Sequence, residues 1–171
     1  FAAAADPDIW HWMPVDPSAS REAMAQWLDD ALAARDAGTQ QPFTIIAQDS
    51  GAVIGSTRYL EIMSHDHTIE IGWTWLAKDA RRSAVNTECK FLLLRHAFET
   101  LGAMRVQLKT DLRNTRSQDA IARIGGVREG VLRKHRIVQG NHQRSTVVFS
   151  IIDDEWPAVK ARLQGWLPAP L

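Results

Sequence analysis

The chain has 171 residues, in which 20 lysines and arginines are balanced by 20 aspartates and glutamates. This length suits one α/β domain with a full hydrophobic core and is short for two, so we predict a single domain over residues 1–171. The balanced charge gives no reason to expect a nucleic-acid or membrane partner, and no apolar run reaches the roughly 18 residues of a membrane-spanning helix. The lone cysteine, Cys89, cannot form an internal disulfide, which fits a cytoplasmic protein.

The first half of the chain predicts one amphipathic helix followed by three strands. Residues 20–37 place apolar side chains at helical spacing, and Gly38 stands where such a helix would stop. These apolar residues are Met24, Trp27, Leu28, Ala31 and Leu32. The segments PFTIIAQ and AVIGSTRYLEI flank the turn signal DSG, and TIEIGWTWL follows a short polar loop, so we expect three sequential antiparallel strands. Because the sequence starts on Phe1 rather than on Met, we also expect a further N-terminal element to precede it.

The second half predicts three helices and three strands. A helix over residues 86–101 has one apolar stripe, formed by Phe91, Leu94, Phe98 and Leu101. The segment MRVQLKT then alternates as a strand with Met104, Val106 and Leu108 inward. A short helix over residues 115–124 follows, EGVLRKHRIV and RSTVVFSII form a hairpin around QGNHQ, and DDEWPAVKARLQGWL closes as a surface helix. This order predicts a mixed α/β sheet, mostly antiparallel, with helices on both faces.

The stretch EIGWTWLAKDARRSAVNTECK begins as a strand and ends as a helix. Where a strand leads through a loop into a helix, unpaired N–H groups and the positive end of the helix dipole together favour phosphate binding. The loop contains no glycine, so it is neither a nucleotide-triphosphate P-loop nor a dinucleotide fingerprint. From the residues alone, a simple helix cap by Ser83 or Asn86, with Arg81 and Arg82 solvated, is the more economical interpretation.

A longer run of residues points to one family. The sequence from Glu70 through RNTRSQDAIARIGG, with EGVLRKHRI and TVVFSIIDDEW after it, resembles the GNAT superfamily of acyl-CoA N-acyltransferases. Within it, the chain is similar to the branch typified by the RimJ and RimL ribosomal-protein N-terminal acetyltransferases. The resemblance covers residues 42–156, and its most specific part is the similarity of RNTRSQDAIARIGG to the family segment N-x-R-S-x-x-A-I-x-x-x-G. It implies a GNAT-like single domain with a splayed fourth strand, acetyl-CoA as co-substrate and no metal.

The resemblance also implies which residues hold coenzyme A. In the family, free backbone groups of the fourth strand pair with the pantetheine amides, which here would involve Trp73, Thr74, Trp75 and Leu76. A Q/R-x-x-G-x-G/A loop then binds the diphosphate, and its counterpart here is formed by Arg81, Arg82, Ser83, Ala84, Val85 and Asn86. Because Ala84 replaces the loop glycine, we expect an altered loop rather than a lost site. Asn114 matches a family residue that contacts the cofactor, with a turn role as the alternative. The indoles of Trp73 and Trp75 are equally well explained as walls of the site or as core.

Acyl transfer needs a donor to the developing oxyanion and a proton for the departing thiolate. The resemblance assigns the first to a backbone N–H near Trp75 or Leu76. It assigns the second to Ser117, for which a helix N-cap is the alternative interpretation.

The transfer also needs a neutral amine, and therefore a base. Glu70 is our first candidate, because many superfamily members carry a catalytic glutamate on this strand. His135 is the second, since an unperturbed imidazole titrates near neutrality. The glutamate used by RimL-type members falls here at about Arg136, so this chain has an arginine where those members carry their base.

Together these features predict an N-acetyltransferase that transfers an acetyl group directly from acetyl-CoA to an amine within a ternary complex. The acceptor could be a protein N-terminus, a free amino acid or another small amine. Ala84 and Arg136 favour the alternative of a non-catalytic acyl-CoA-binding module. The segment SHDHT contains ligand-type residues, but we interpret it as a polar hairpin loop without a metal. A homodimer is compatible with the sequence.

Overall fold

Six strands form one open sheet in the computed structural model, which describes residues 1–167. They are β1 (Gln40–Ile46), β2 (Val53–Met63), β3 (Thr68–Leu76), β4 (Arg105–Asp111), β5 (Val127–Val138) and β6 (His142–Ile152). Their spatial order is β1-β2-β3-β4-β6-β5. The β3–β4 pair is parallel and the other pairs are antiparallel, which confirms the predicted mixed sheet.

In the described part of the chain, four α-helices accompany the sheet. They are α1 (Arg21–Asp36), α2 (Val85–Arg95), α3 (Thr115–Arg123) and α4 (Trp156–Gln164). Ser20 caps α1 by accepting a hydrogen bond from the Ala23 N–H at 3.1 Å. A π-helical turn, His96–Thr100, extends α2. Within residues 1–167, no helix is long and apolar enough to cross a membrane.

The helices cover both faces of the sheet, as predicted. Neighbouring residues of a strand point to opposite faces. On β2 the Arg58 guanidinium lies 4.3 Å from the ring centroid of Trp27 in α1, whereas the Tyr59 hydroxyl donates to the Leu93 carbonyl of α2. The larger core lies on the α2 face and also includes α3 and α4. On the α1 face, an aromatic cluster is formed by Trp10, Trp27, Trp73 and Trp75.

Several predicted core positions are wrong, for reasons of local geometry. Leu28 and Leu32 are 48% and 42% exposed, because α1 buries a narrow stripe at i, i+3 and i+7 formed by Met24, Trp27 and Ala31. Leu101 is 49% exposed because it lies just beyond the π-helical turn, which rotates it off the α2 stripe. Met104 is 50% exposed because it precedes the first residue of β4. Conversely, the predicted surface helix α4 is anchored in the core by Trp156, Val159 and Leu163.

The parallel pair β3–β4 is short, and the two strands then separate. The register joins Thr68 to Arg105, Ile69 to Val106 and Glu70 to Gln107, with no further pair within residues 1–167. This confirms the predicted splay. The strand concerned is the fourth strand of the family and corresponds to β3 of this chain.

Beyond the separation, β3 stays paired with β2 through a β-bulge. Between the pairs Arg58–Gly72 and Ser56–Trp75, one residue of β2 faces two residues of β3, and Trp73 has a φ of 50°. The extra residue shifts the alternation of β3. Ile69 and Ile71 therefore belong to the larger core, whereas Trp73 and Trp75 belong to the aromatic cluster on the other face.

Candidate active site

The turn from β3 into α2 collects backbone N–H groups at one place. The first N–H that bonds back along the helix is that of Glu88, to the Ala84 carbonyl at 2.9 Å. The N–H groups of Ala84, Asn86 and Thr87 have no hydrogen-bond partner within residues 1–167. Together with the helix dipole, these donors are suited to bind an anion at the predicted diphosphate loop.

Neither of the two capping residues proposed from the sequence caps α2 in the ordinary way. Ala84 occupies the N-cap position, where no side chain caps the helix. The Ser83 hydroxyl instead donates to the Ala80 carbonyl at 2.7 Å and accepts from the Val85 N–H at 3.3 Å. The φ of Ala84 is −69°, so alanine is unstrained where the family has glycine. The left-handed residue of the loop is Arg82, with a φ of 60°.

Arg81 is held at the end of β3 rather than extended into solvent. Its Nε donates to the Leu76 carbonyl at 3.0 Å, and its Nη2 lies 3.1 Å from Asp6 in the N-terminal segment. The Leu76 carbonyl, predicted to be free for pantetheine, is therefore already bonded. By contrast, the Arg82 side chain is exposed.

A cavity of about 310 Å³ lies where the loop, the start of α3 and the N-terminal segment meet. Arg81, Arg113, Asn114 and Arg116 line it, together with Trp12. Arg113 pairs with the Asp111 carboxylate at 3.1 Å and lies 5.1 Å from the Trp12 ring centroid. Asp8 lines the cavity as well, and the carboxylates of Asp6 and Asp111 pair with Arg81 and Arg113, so Arg116 is the guanidinium left outside the ion pairs formed within residues 1–167. Arg81 and Asn114, both predicted to contact the cofactor, are brought together here.

The exposed edge of β3 offers backbone groups rather than indole rings. Trp75 is 8% exposed and lies 5.7 Å from Trp10, between ring centroids. Trp73 packs 6.1 Å from Trp27. Their side chains therefore belong to the aromatic cluster, and the core interpretation accounts for their contacts. The Thr74 side chain points to the other face, where its hydroxyl accepts a hydrogen bond from Lys90 Nζ at 2.6 Å.

Glu70 lies at the fork, which is the point after the Glu70–Gln107 pair where β3 separates from β4. Its side chain is buried, and its carboxylate lies 2.8 Å from Lys109 Nζ. Lys109 is shared with Glu61, whose carboxylate is 2.7 Å away. Burial raises the pKa of the Glu70 carboxyl, and the neighbouring Glu61 charge adds to this, while Lys109 opposes it. A buried carboxylate with a raised pKa beside an open strand edge is suited to accept a proton.

The sequence analysis did not identify Glu61 or Lys109 as residues of the site. Glu61 is a second irregular position of β2, with a φ of 47°, and it joins Gln107 at 2.7 Å and Arg136 at 3.8 Å. The sequence did contain a signal, because strand alternation places Gln107 and Lys109 on the outward face of their strand. The ion pair with Glu61 also shows that Arg136 supplies a counter-charge where the family's glutamate would stand.

His135 contributes an imidazole to the same polar cluster. Its Nδ1 lies 3.1 Å from the Thr146 hydroxyl. Burial, followed by the charges of Arg136, Lys109 and Arg144, lowers the pKa of His135. The imidazole is therefore neutral at pH 7 and could accept a proton.

The start of α3 separates the roles of Asn114 and Ser117. Asn114 is the N-cap residue, and its side-chain oxygen accepts from the Ser117 N–H at 3.1 Å. The N-cap interpretation of Ser117 is therefore wrong. The Ser117 hydroxyl itself makes no hydrogen bond within residues 1–167, so it can still donate to a bound group.

Comparisons with known proteins agree with this architecture. Residues 1–127 match the model of the acetyltransferase (GNAT) domain family. A solved GCN5-related N-acetyltransferase from Brucella melitensis is 32% identical, with a TM-score of 0.89 over 98% of this chain and 76% of that one. A T. thermophilus protein assigned to the acetyltransferases is 39% identical, with a TM-score of 0.86 over 95% of this chain and 84% of that one.

Two further relatives carry names related to ribosomal proteins or coenzyme A. YdaF of Bacillus subtilis (strain 168), assigned by its name to the ribosomal N-acetyltransferases, is 29% identical over 110 residues. That match spans 64% of this chain and 59% of YdaF. Mycobacterium smegmatis RimJ, solved in complex with CoA-disulfide, is 20% identical with a TM-score of 0.81 over 95% of this chain and 79% of that one, and so supports the fold alone.

Proposed function

We propose that this chain, which belongs to the GNAT family of acetyltransferases, transfers an acetyl group from acetyl-CoA to an amine. The observation that carries this proposal is the coincidence of three features at one edge of the sheet. The parallel pair opens after Glu70, unpaired N–H groups cluster at the start of α2, and an arginine-lined cavity lies beside them. A co-substrate whose diphosphate joins an adenosine to a long, thin arm that contains amides suits this arrangement.

The residues present fit coenzyme A. The N–H groups of Ala84 and Asn86 would hold the diphosphate, and the neighbouring Ser83, Val85 and Arg82 shape the turn around it. Along the free edge of β3, backbone groups of Trp73, Thr74 and Trp75 would pair with the pantetheine amides. Asn114 and Arg81 would close the site from the side of the cavity. Acetyl-CoA supplies the activated acetyl group, and no metal is needed for this chemistry.

Within the site, we assign proton transfer to groups on two sides of the fork. The Glu70 carboxylate would take a proton from the amine as the acyl group is transferred, directly or through one water. His135, neutral and in the same polar cluster, is the second candidate base. The Ser117 hydroxyl would donate to the departing sulfur, and a backbone N–H near Trp75 would donate to the acyl oxygen. Direct transfer through a ternary complex follows, because these roles leave no protein nucleophile to be acylated.

The acceptor is proposed as a protein N-terminus or a small-molecule amine. An α-amine, with an ordinary pKa near 7.7 to 8.0, places a smaller demand on the base than a lysine side chain at about 10.4. At the fork the acceptor would lie beside the Glu61–Lys109–Glu70 cluster, in which Lys109 and Arg136 balance the charges of the two carboxylates.

Thermal denaturation with ligands tests the cofactor assignment. A ligand that binds the folded form alone stabilises it by about 2.7 kcal/mol at a hundredfold excess over Kd. For a chain of this size we expect acetyl-CoA to raise Tm by roughly 5 to 10 °C under those conditions. NAD and ATP, which lack the pantetheine arm, should raise it less. Equal shifts with all three ligands would remove the coenzyme A assignment.

A further inference from the structure

Lys90 is a buried amine that the proposed chemistry does not use. It lies on α2, is 6% exposed, and its ammonium donates to the Thr74 hydroxyl at 2.6 Å. None of the ion pairs formed within residues 1–167 includes it. A buried cation without an anionic partner costs folding stability, because desolvation of the charge is not offset by Coulombic attraction. Lys90 is therefore an uncompensated positive charge inside the protein.

The position of this charge relates it to the cofactor site. Lys90 follows Val85 by five residues, which is about 7.5 Å along the helix axis at 1.5 Å per residue. Long side chains of a helix point back towards its N-terminus. The contact with Thr74, on the stretch of β3 beyond the fork, fixes where the ammonium ends. The ammonium therefore ends at the part of β3 beyond the fork, which leads on to the start of α2.

Two roles for Lys90 can be distinguished from its contacts. The Thr74 hydroxyl lies 2.8 Å from that of Thr57, which also reaches the Gly72 carbonyl at 3.4 Å. Lys90 could thus brace the bulge through these hydroxyls. Hydroxyl contacts need a donor but not a full charge, so a brace does not explain a buried ammonium. A diphosphate bound at the start of α2 does, because it provides the missing anion.

We propose that the Lys90 ammonium is the buried counter-charge of the cofactor diphosphate, and that acetyl-CoA binding is coupled to protonation of this amine. This inference rests on the proposed function and assigns Lys90 a binding role without direct contact. An anion close to an amine stabilises its charged form, so binding draws a proton onto whatever fraction of Lys90 is neutral. Reciprocally, the protonated enzyme binds acetyl-CoA more tightly than the deprotonated enzyme.

The titration that this coupling requires falls in an accessible range. Burial lowers the pKa of Lys90 to about 8, and the neighbouring Cys89 opposes this. The other ionisable groups near it are Glu88 and Cys89 on α2, Tyr59 from β2, and Arg123, which reaches across from α3 to Thr87. Burial raises the pKa values of the Cys89 thiol and the Tyr59 hydroxyl, so both are neutral at pH 8. Affinity for acetyl-CoA should therefore fall as pH rises through 8.

Isothermal titration of acetyl-CoA into the protein at pH 8 tests the proposal. Comparing Tris with HEPES, whose ionisation enthalpies differ, reports the number of protons taken up on binding. We expect the wild type to take up a fraction of a proton. Lys90→Met should lose that uptake and weaken binding by about tenfold, the order expected for the loss of one charge from a partly screened interior. Lys160→Met, which removes a half-buried lysine of α4 paired with Glu99, controls for net charge and should leave both quantities unchanged.

A third variant separates the effect of the Lys90 charge from the effect of its hydrogen bond to Thr74. Thr74→Val removes the hydroxyl and retains the ammonium, so we expect it to weaken binding less than Lys90→Met and to keep the proton uptake. Equal losses in the two variants, or an absence of uptake by the wild type at pH 8, would overturn the inference. The measurement of proton uptake by the wild type needs no variant, so it tests the inference even if Lys90→Met does not fold. If the wild type failed to bind acetyl-CoA at all, the proposed function itself would be wrong.

Discussion

Glu70→Gln is expected to lower kcat by between about a hundredfold and ten-thousandfold, the usual contribution of a positioned base. The amide keeps the size of the side chain, and Lys109 retains its ion pair with Glu61, so the fold should be preserved. In the wild type, kcat should rise with pH as the Glu70 carboxyl loses its proton. Because burial raises that pKa, this rise lies above the range of an ordinary glutamate. The variant should lack this rise and recover only as the acceptor amine itself deprotonates.

Measurement of kcat against pH, with circular dichroism as a control for folding, distinguishes this role from others. Ser117→Ala is the informative comparison, because a neutral hydroxyl does not titrate near neutrality. It should lower kcat without changing the shape of the pH profile or the affinity for acetyl-CoA. A Glu70→Gln profile that matches the wild type would transfer the base to His135 or leave catalysis to positioning alone.

Ala84→Pro is expected to raise the Kd for acetyl-CoA by between about tenfold and a hundredfold, the worth of one hydrogen bond to a charged group. Proline removes the N–H of residue 84, which has no partner within residues 1–167. The φ of −69° at this position already suits proline, so the loss should not arise from backbone strain.

Ala84→Ser is the matched control, because serine keeps the N–H and adds one atom. We expect it to bind acetyl-CoA as the wild type does, as measured by calorimetry. Folded Ala84→Pro with unchanged affinity would show that backbone donors at the start of α2 do not hold the diphosphate. Arg82→Gln, at an exposed position, should cost less and mainly at low salt.

Element order and strand pairing could be predicted because periodicity and turn signals are local properties of the sequence. The splay could be anticipated from the family resemblance, whereas the bulge at Trp73 could not. A strict two-residue period places Ile71 and Trp73 on one face, and a single extra residue reverses that assignment. Leu28 and Leu32 show a similar limit, because helical spacing identifies an apolar stripe but not how much of it the sheet covers.

The candidate site likewise contains residues that the sequence could indicate and residues that it could not. Glu70, Ser117 and Asn114 could be proposed because motifs record their positions along the chain. Glu61 could not, since its role depends on contacts with Lys109 and Arg136 from distant strands. The ion pair between Arg81 and Asp6 could not be predicted either, because nothing in the local sequence indicates that the N-terminal segment reaches the loop.

The central claim is catalytic, and product analysis tests it most directly. The protein would be incubated with acetyl-CoA and a panel of amines that includes peptides with free N-termini, free amino acids and small-molecule amines. Mass spectrometry would follow acetylated amines, and a thiol reagent would follow free coenzyme A. We predict that the wild type forms an acetylated amine and free coenzyme A in equal amounts. Tight binding of acetyl-CoA with no acetylated product from any amine would contradict this account and identify the chain as a non-catalytic acyl-CoA-binding module.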